Sequence, residues 1–106
     1  MGERLKVARL SDLTPGRGHC VKIESGERSW NLALFNVEGK FYAIDNTCPH
    51  RGGDLAEGDL DGFTVYCPLH AWMFDVRTGA SPTISHAKVP SYPVTVEGDD
   101  LFIDAG

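Results

Sequence analysis

Cysteine is scarce, with three in 106 residues. An odd and small set argues against a secreted disulfide framework, which usually shows an even one. In an intracellular protein such thiols are metal ligands or buried bystanders. Long apolar runs are also missing. None approaches the ~20 residues that a membrane-crossing helix needs, so no membrane partner is expected. Basic charge is in deficit: Lys and Arg total 10 against 15 Asp and Glu, a formal net charge of −5. Affinity for phosphates comes from clustered Lys and Arg, so nucleic acid is not an expected partner. An acidic surface instead favours encounter with a basic protein patch. Met1 to Leu13 mixes Glu3, Arg4, Lys6, Arg9 and Asp12 with single apolar residues. That matches neither a secretory signal nor a twin-arginine leader, and the expectation is a soluble, cytoplasmic chain.

What the sequence has is turns. Thr14-Pro15-Gly16, Ser25-Gly26, Glu38-Gly39, Gly52-Gly53, Asp61-Gly62, Thr78-Gly79 and Glu97-Gly98-Asp99 punctuate it. Between them lie short runs that alternate, or that are rich in aromatic and β-branched residues. Leu5 and Val7 alternate with Lys6 and Ala8; Val21 and Ile23 alternate with Lys22 and Glu24. Trp30 to Val37 and Phe41 to Ile44 flank Glu38-Gly39 and read as a hairpin. Phe63 to Tyr66, Trp72 to Phe74, Tyr92 to Val96 and Leu101 to Ile103 complete the set. Asp54 to Asp61 has room for one helical turn, too short to stand as a helix alone. Many short strands with frequent turns predict an all-β fold, an antiparallel sandwich or barrel. The whole chain, 1–106, is expected to form one domain.

Two segments stand out: Cys48-Pro49-His50-Arg51-Gly52 and Cys67-Pro68-Leu69-His70. Each pairs one soft thiolate with one imidazole, and each follows a predicted strand. Two loops of this kind can close on one metal centre. Pro49 and Pro68 remove backbone donors and fix the local φ. Gly52, Gly53 and Ala71 keep the surroundings small, so that backbone can approach the metal. Three readings compete on the residues alone. A disulfide between Cys48 and Cys67 would leave both histidines incidental. A structural zinc site is chemically sound for two Cys and two His, although common zinc sites pair like with like, as C-x-x-C and H-x₃₋₅-H. The third is a binuclear iron–sulfur centre with both cysteines on one iron and both histidines on the other.

The sequence Cys48-Pro49-His50-Arg51-Gly52-Gly53, then Cys67-Pro68-Leu69-His70-Ala71-Trp72-Met73-Phe74-Asp75 and Thr78-Gly79, resembles a Rieske [2Fe–2S] domain. The type it is most similar to is the small ferredoxin of bacterial ring-hydroxylating oxygenase systems. The resemblance extends to Leu34 to Ile44 before the first loop, and to Tyr92-Pro93-Val94 and Val96 to Asp99 near the end. It implies an antiparallel all-β fold with a small cluster-binding subdomain, its loops within about residues 45–80. It implies one [2Fe–2S] cluster, with Cys48 and Cys67 on the inner iron and His50 and His70 on the outer one. Charge then explains the imidazoles. An oxidised +2 core with two thiolates is neutral, so adding an electron is easier than with four thiolates, and the potential rises above that of plant-type ferredoxins. The implied partners are a flavin-dependent reductase and a terminal non-haem iron oxygenase. The chain would be an electron carrier with no catalytic residues of its own. High-potential relatives carry an extra cysteine in each ligand loop, where this chain has Gly53 and Leu69. They also place a serine and a tyrosine hydroxyl near the cluster sulfurs, where Trp72 and Phe74 stand here. The resemblance therefore implies the low end of the Rieske range.

Rival classes are a small Rieske-like subunit of a nitrite-reductase-type complex, a detached oxygenase N-terminal domain, and a zinc-binding structural module. Among bystanders, Cys20 is expected to be a packed thiol, His19 and His86 surface or cap residues, and Trp30 a core residue. Trp72 is expected to cover the cluster loop or to pack in the core or at its rim. Asp54, Glu57, Asp59 and Asp61 form a solvated loop or a docking charge. Ser81-Pro82 corresponds to the family's proline-bearing loop that shields the cluster.

Overall fold

The run from Trp30 to Val37 is apolar at both odd and even positions, so a strand built from it needs cover on both faces. The computed structural model, which describes residues 4–49, 52–69, 72–84 and 87–104, supplies that cover. Its strands are β1 (Arg4–Arg9), β2 (Gly18–Ser25), β3 (Arg28–Val37), β4 (Lys40–Asp45), β5 (Leu60–Asp61), β6 (Thr64–Tyr66), β7 (Met73–Asp75), β8 (Ser91–Tyr92), β9 (Val94–Glu97) and β10 (Asp100–Asp104). They form three sheets, ordered β1-β10-β9, β2-β3-β4-β8 and β5-β6-β7. Every strand pair in them is antiparallel. The all-β antiparallel expectation therefore holds. No helix among the described residues is long and apolar enough to cross a membrane.

Successive side chains of β3 point to opposite faces. Trp30, Leu32 and Leu34 enter one core with Val7, Leu13, Ala43, Leu101 and Ile103. Ala33, Phe35 and Val37 enter a second core with Ile44, Leu55, Val65, Phe74, Val76, Cys48 and Cys67. The β3–β4 hairpin turns through Glu38 and Gly39, both at positive φ (53° and 86°). That is the mirror-image two-residue turn that suits right-twisted strands. The buried Asn36 side chain holds it, accepting from Gly39 N–H at 2.9 Å.

Two local expectations are corrected and one, a helical turn within Asp54 to Asp61, is met in part. Tyr92 to Val96 is not one strand: it breaks at Pro93, with β8 beside β4 and β9 beside β10. Proline offers no N–H to a ladder. Asp54 to Asp61 holds a 3₁₀ turn at Leu55–Glu57 and then β5. Cys20 is exposed rather than packed. The alternation of β2 turns Val21 and Ile23 toward the core and leaves Cys20, Lys22 and Glu24 exposed. Trp30 is buried as expected. His86 lies outside the described residues.

Candidate metal centre

Both cysteines sit at the necks of loops of the same size. The first loop leaves β4, where Asp45 Oδ1 accepts from Thr47 N–H at 2.8 Å. Cys48 N–H then donates to Gly53 O at 2.9 Å, and Gly52 N–H donates back to Cys48 O at 2.8 Å. The second loop joins β6 to β7, closed by Cys67 N–H donating to Trp72 O at 2.7 Å. In each case the cysteine reaches the carbonyl five residues on. Both side chains lie in the same buried core, each residue about 1% exposed. Pro49, Pro68 and Leu69 are exposed, so each loop runs from a buried thiol out to solvent. His50 and His70 lie outside the described residues.

The loops meet at Gly53. A Cβ added there would fall 3.0 Å from Cys67 Sγ and 3.1–3.2 Å from Leu69 side-chain carbons. That space is free only because the residue is glycine. None of the three cysteines is joined in a disulfide, which removes the disulfide reading of Cys48 and Cys67. Two buried thiols on adjoining loop necks are a donor set suited to a thiolate-bound cluster. No group of three His, Cys, Asp or Glu able to hold a metal occurs among the described residues. The imidazoles of the expected set belong to the undescribed His50 and His70.

Around this centre, Trp72 and Ile84 pack on the core that contains the cysteines. Ile84 belongs to the Ser81-Pro82 segment, where Ser81 Oγ accepts from Ile84 N–H at 3.1 Å. Asp54, Glu57, Asp59 and Asp61 are all exposed. A groove of about 510 Å³ lined by Glu57, Gly58, Asp59, Tyr66, Cys67 and Pro68 brings two of these carboxylates to the edge of the second loop. On β2, partial desolvation of the largely exposed Cys20 thiol and the nearby Asp54 carboxylate raise its pKa.

Sequence reasoning missed Asn46. It is fully buried, and its side chain binds the segment just beyond the first loop. The available signal was a polar residue at the end of an apolar strand, two positions before a candidate ligand.

A family model of the Rieske [2Fe-2S] domain matches residues 3–93. The ferredoxin component of the p-cumate 2,3-dioxygenase system of Pseudomonas putida is 41% identical over 102 residues, covering 94% of this chain and 84% of that protein. The 3-phenylpropionate/cinnamic acid dioxygenase ferredoxin subunit of Escherichia coli K12 is 48% identical over 75 residues, covering 69% of this chain and 71% of that one. Among solved structures, a complex of reduced oxygenase and oxidized ferredoxin in carbazole 1,9a-dioxygenase contains a chain similar to this one. It superposes with a TM-score of 0.80 at 30% identity, covering 95% of this chain and 92% of that chain. With the paired loops and a family match over most of its length, the chain belongs to the Rieske [2Fe–2S] domain family, and its cofactor is one Rieske-type cluster.

Proposed function

We propose that the chain is the ferredoxin of an oxygenase system, receiving single electrons from a flavin-dependent reductase and passing them to a terminal non-haem iron oxygenase. In this reading Cys48, His50, Cys67 and His70 hold the cluster, and residues 1–106 form a single domain. The observation that supports it most is the pair of equal loops, each with a buried cysteine at its neck, packed together at Gly53. When bound, the cluster supplies reversible one-electron exchange. The chain supplies the rest. Its core keeps both thiols from water, and the exposed tips around Pro49, Pro68 and Leu69 offer a contact surface. Glu57 and Asp59 put negative charge beside the second loop, which favours a basic patch on the partner. Thiols outside any disulfide suit a reducing cytoplasm.

The test is composition followed by transfer. Purified protein should be red-brown and contain about two irons and two acid-labile sulfides per chain. It should accept electrons from a flavin reductase and support turnover by a ring-hydroxylating oxygenase. Stoichiometric zinc in protein made with ample iron would overturn the cluster assignment. A loaded protein that reduces no oxygenase of this class would overturn the transfer role.

A further inference from the structure

Asn46 uses its polar groups on three segments. Its side-chain Oδ1 accepts from Ala56 N–H at 2.8 Å, which fixes the orientation of the amide. Its Nδ2 donates to Asp54 Oδ1 at 3.0 Å and faces Asn31 Oδ1 at 3.4 Å and Cys20 Sγ at 3.5 Å. Its main-chain N–H donates to Asn31 O, and its carbonyl accepts from Leu55 N–H, both at 2.8 Å. Asn31 Nδ2 in turn donates to Thr47 Oγ1 at 3.3 Å, and Thr47 pairs with Asp54 in an isolated bridge. The entry to the first loop, residues 46–47, is thereby tied to its exit, residues 54–56, just outside the Cys48–Gly53 ring.

This pattern exceeds what the β scaffold needs. The strands β2, β3 and β4 are already joined by their own ladders. The Asn46 side chain adds no strand pairing; its two shortest bonds both go to the far side of the ligand loop. A buried amide left without partners is costly, so the loop base is favoured in the geometry that supplies these bonds. Groups that orient metal ligands from behind act in this way.

We propose that Asn46 is a positioning residue for the cluster: it clasps the base of the Cys48 loop, and so sets where that thiolate is presented. The proposal rests on Cys48 being a ligand. Its closing experiment separates the two, because iron and sulfide content of the unaltered protein tests ligation, whereas comparison among loaded variants tests Asn46.

The variants are Asn46→Ala, Asn46→Asp, Asp54→Ala and the exchange Asn46→Asp/Asp54→Asn, each purified with its cluster. Asn46→Asp keeps the acceptor for Ala56 N–H but sets two carboxylates against each other. The exchange restores a donor–acceptor pair with its polarity reversed. The readouts are the half-time of cluster release to a chelator at a temperature well below melting, and the width of the reduced cluster's EPR lines. Asn46→Ala and Asn46→Asp should release the cluster about tenfold faster or more, with broadened lines. The exchange should return both towards the unaltered values. Leu34→Ala, in the core without cysteines, calibrates a purely structural defect: it lowers the melting temperature and leaves the EPR lines alone. Should Asn46→Ala fail to fold, Asp54→Ala still decides, since Asp54 is exposed and its loss removes one bond from the clasp. Release and line widths unchanged in Asp54→Ala and Asn46→Asp, or an exchange variant as labile as Asn46→Asp, would overturn the proposal.

Discussion

Arg77 grips Asp75 with two prongs, Nη2 to Oδ2 at 2.8 Å and Nε to Oδ1 at 3.0 Å, while its guanidinium lies 4.2 Å from the centre of the Phe63 ring. Arg77 N–H also donates to Asp75 Oδ1 at 2.8 Å. The bonds from Arg77 hold the Asp75 carboxyl below the usual carboxylate range, against a smaller opposing effect of burial. A carboxylate whose pKa is depressed by folding stabilises the fold above its unfolded pKa, and that contribution is lost as pH falls through the folded value. Asp75→Asn should therefore melt below the parent protein at neutral pH. The gap should close as pH drops through and below the ordinary carboxylate range. Melting curves of both proteins across that range check it, and the pair's exposure to solvent keeps the expected gap small.

Gly53→Ala isolates a single steric contact. Gly53 is not at positive φ, so alanine fits the backbone there, but its methyl would lie 3.0 Å from Cys67 Sγ. Overpacking of this kind costs about 1–3 kcal/mol. Relief comes by moving the thiol or Leu69. The expected result is protein with an unchanged far-ultraviolet circular dichroism spectrum and lowered iron and sulfide content. Normal occupancy would show that the loops separate easily.

The midpoint potential should lie near the low end of the Rieske range, ~−150 mV. Phe74 is fully buried in the core that contains both cysteines, and Trp72 packs against it. Neither has a hydroxyl to donate to a cluster sulfur. Fewer such donors stabilise the reduced, more negative state less. The formal net charge of −5 acts in the same direction. Potentiometry giving a value above about +100 mV would contradict this account and point to a quinol-type partner.

His50→Cys or His70→Cys, in protein that still binds a cluster, should lower that potential. Each adds a thiolate charge where a neutral imidazole stood, and the added electron then meets a more negative site. The same potentiometric titration reads the change. An equal or higher value would count against histidine ligation at the substituted position.

The sheets were legible because strand periodicity and turn chemistry are local. Val21 and Ile23 alternate, and Glu38-Gly39 suits a tight hairpin, so β2, β3 and β4 could be placed from their own residues. β5 was not legible. It is two residues inside an acidic stretch, and only pairing with β6 makes it a strand. Cys20 misled because its residue type favours burial, whereas its position in the alternation turns it outward. At the centre, the motif marked Cys48 and Cys67 as candidates because ligand chemistry restricts residue type, and the structure places both in one buried core. The equal spans from Cys48 to Gly53 and from Cys67 to Trp72 were not legible, because they are hydrogen bonds formed only when the loops close. Asn46 escaped for a related reason: its place at a strand end before Cys48 was visible, but the partners that bury its amide lie on other segments.

Because β3 is shared by two cores, adjacent residues in it answer to different demands. Leu32 and Leu34 pack in the core that holds neither cysteine, so an engineer seeking a hardier protein would repack there first. Ala33 and Phe35, one peptide unit away, share their packing with both cysteines. Substitutions there would retune and destabilise at once. The strand thus works as a partition, with one face answering to stability alone and the other to stability and the candidate site together.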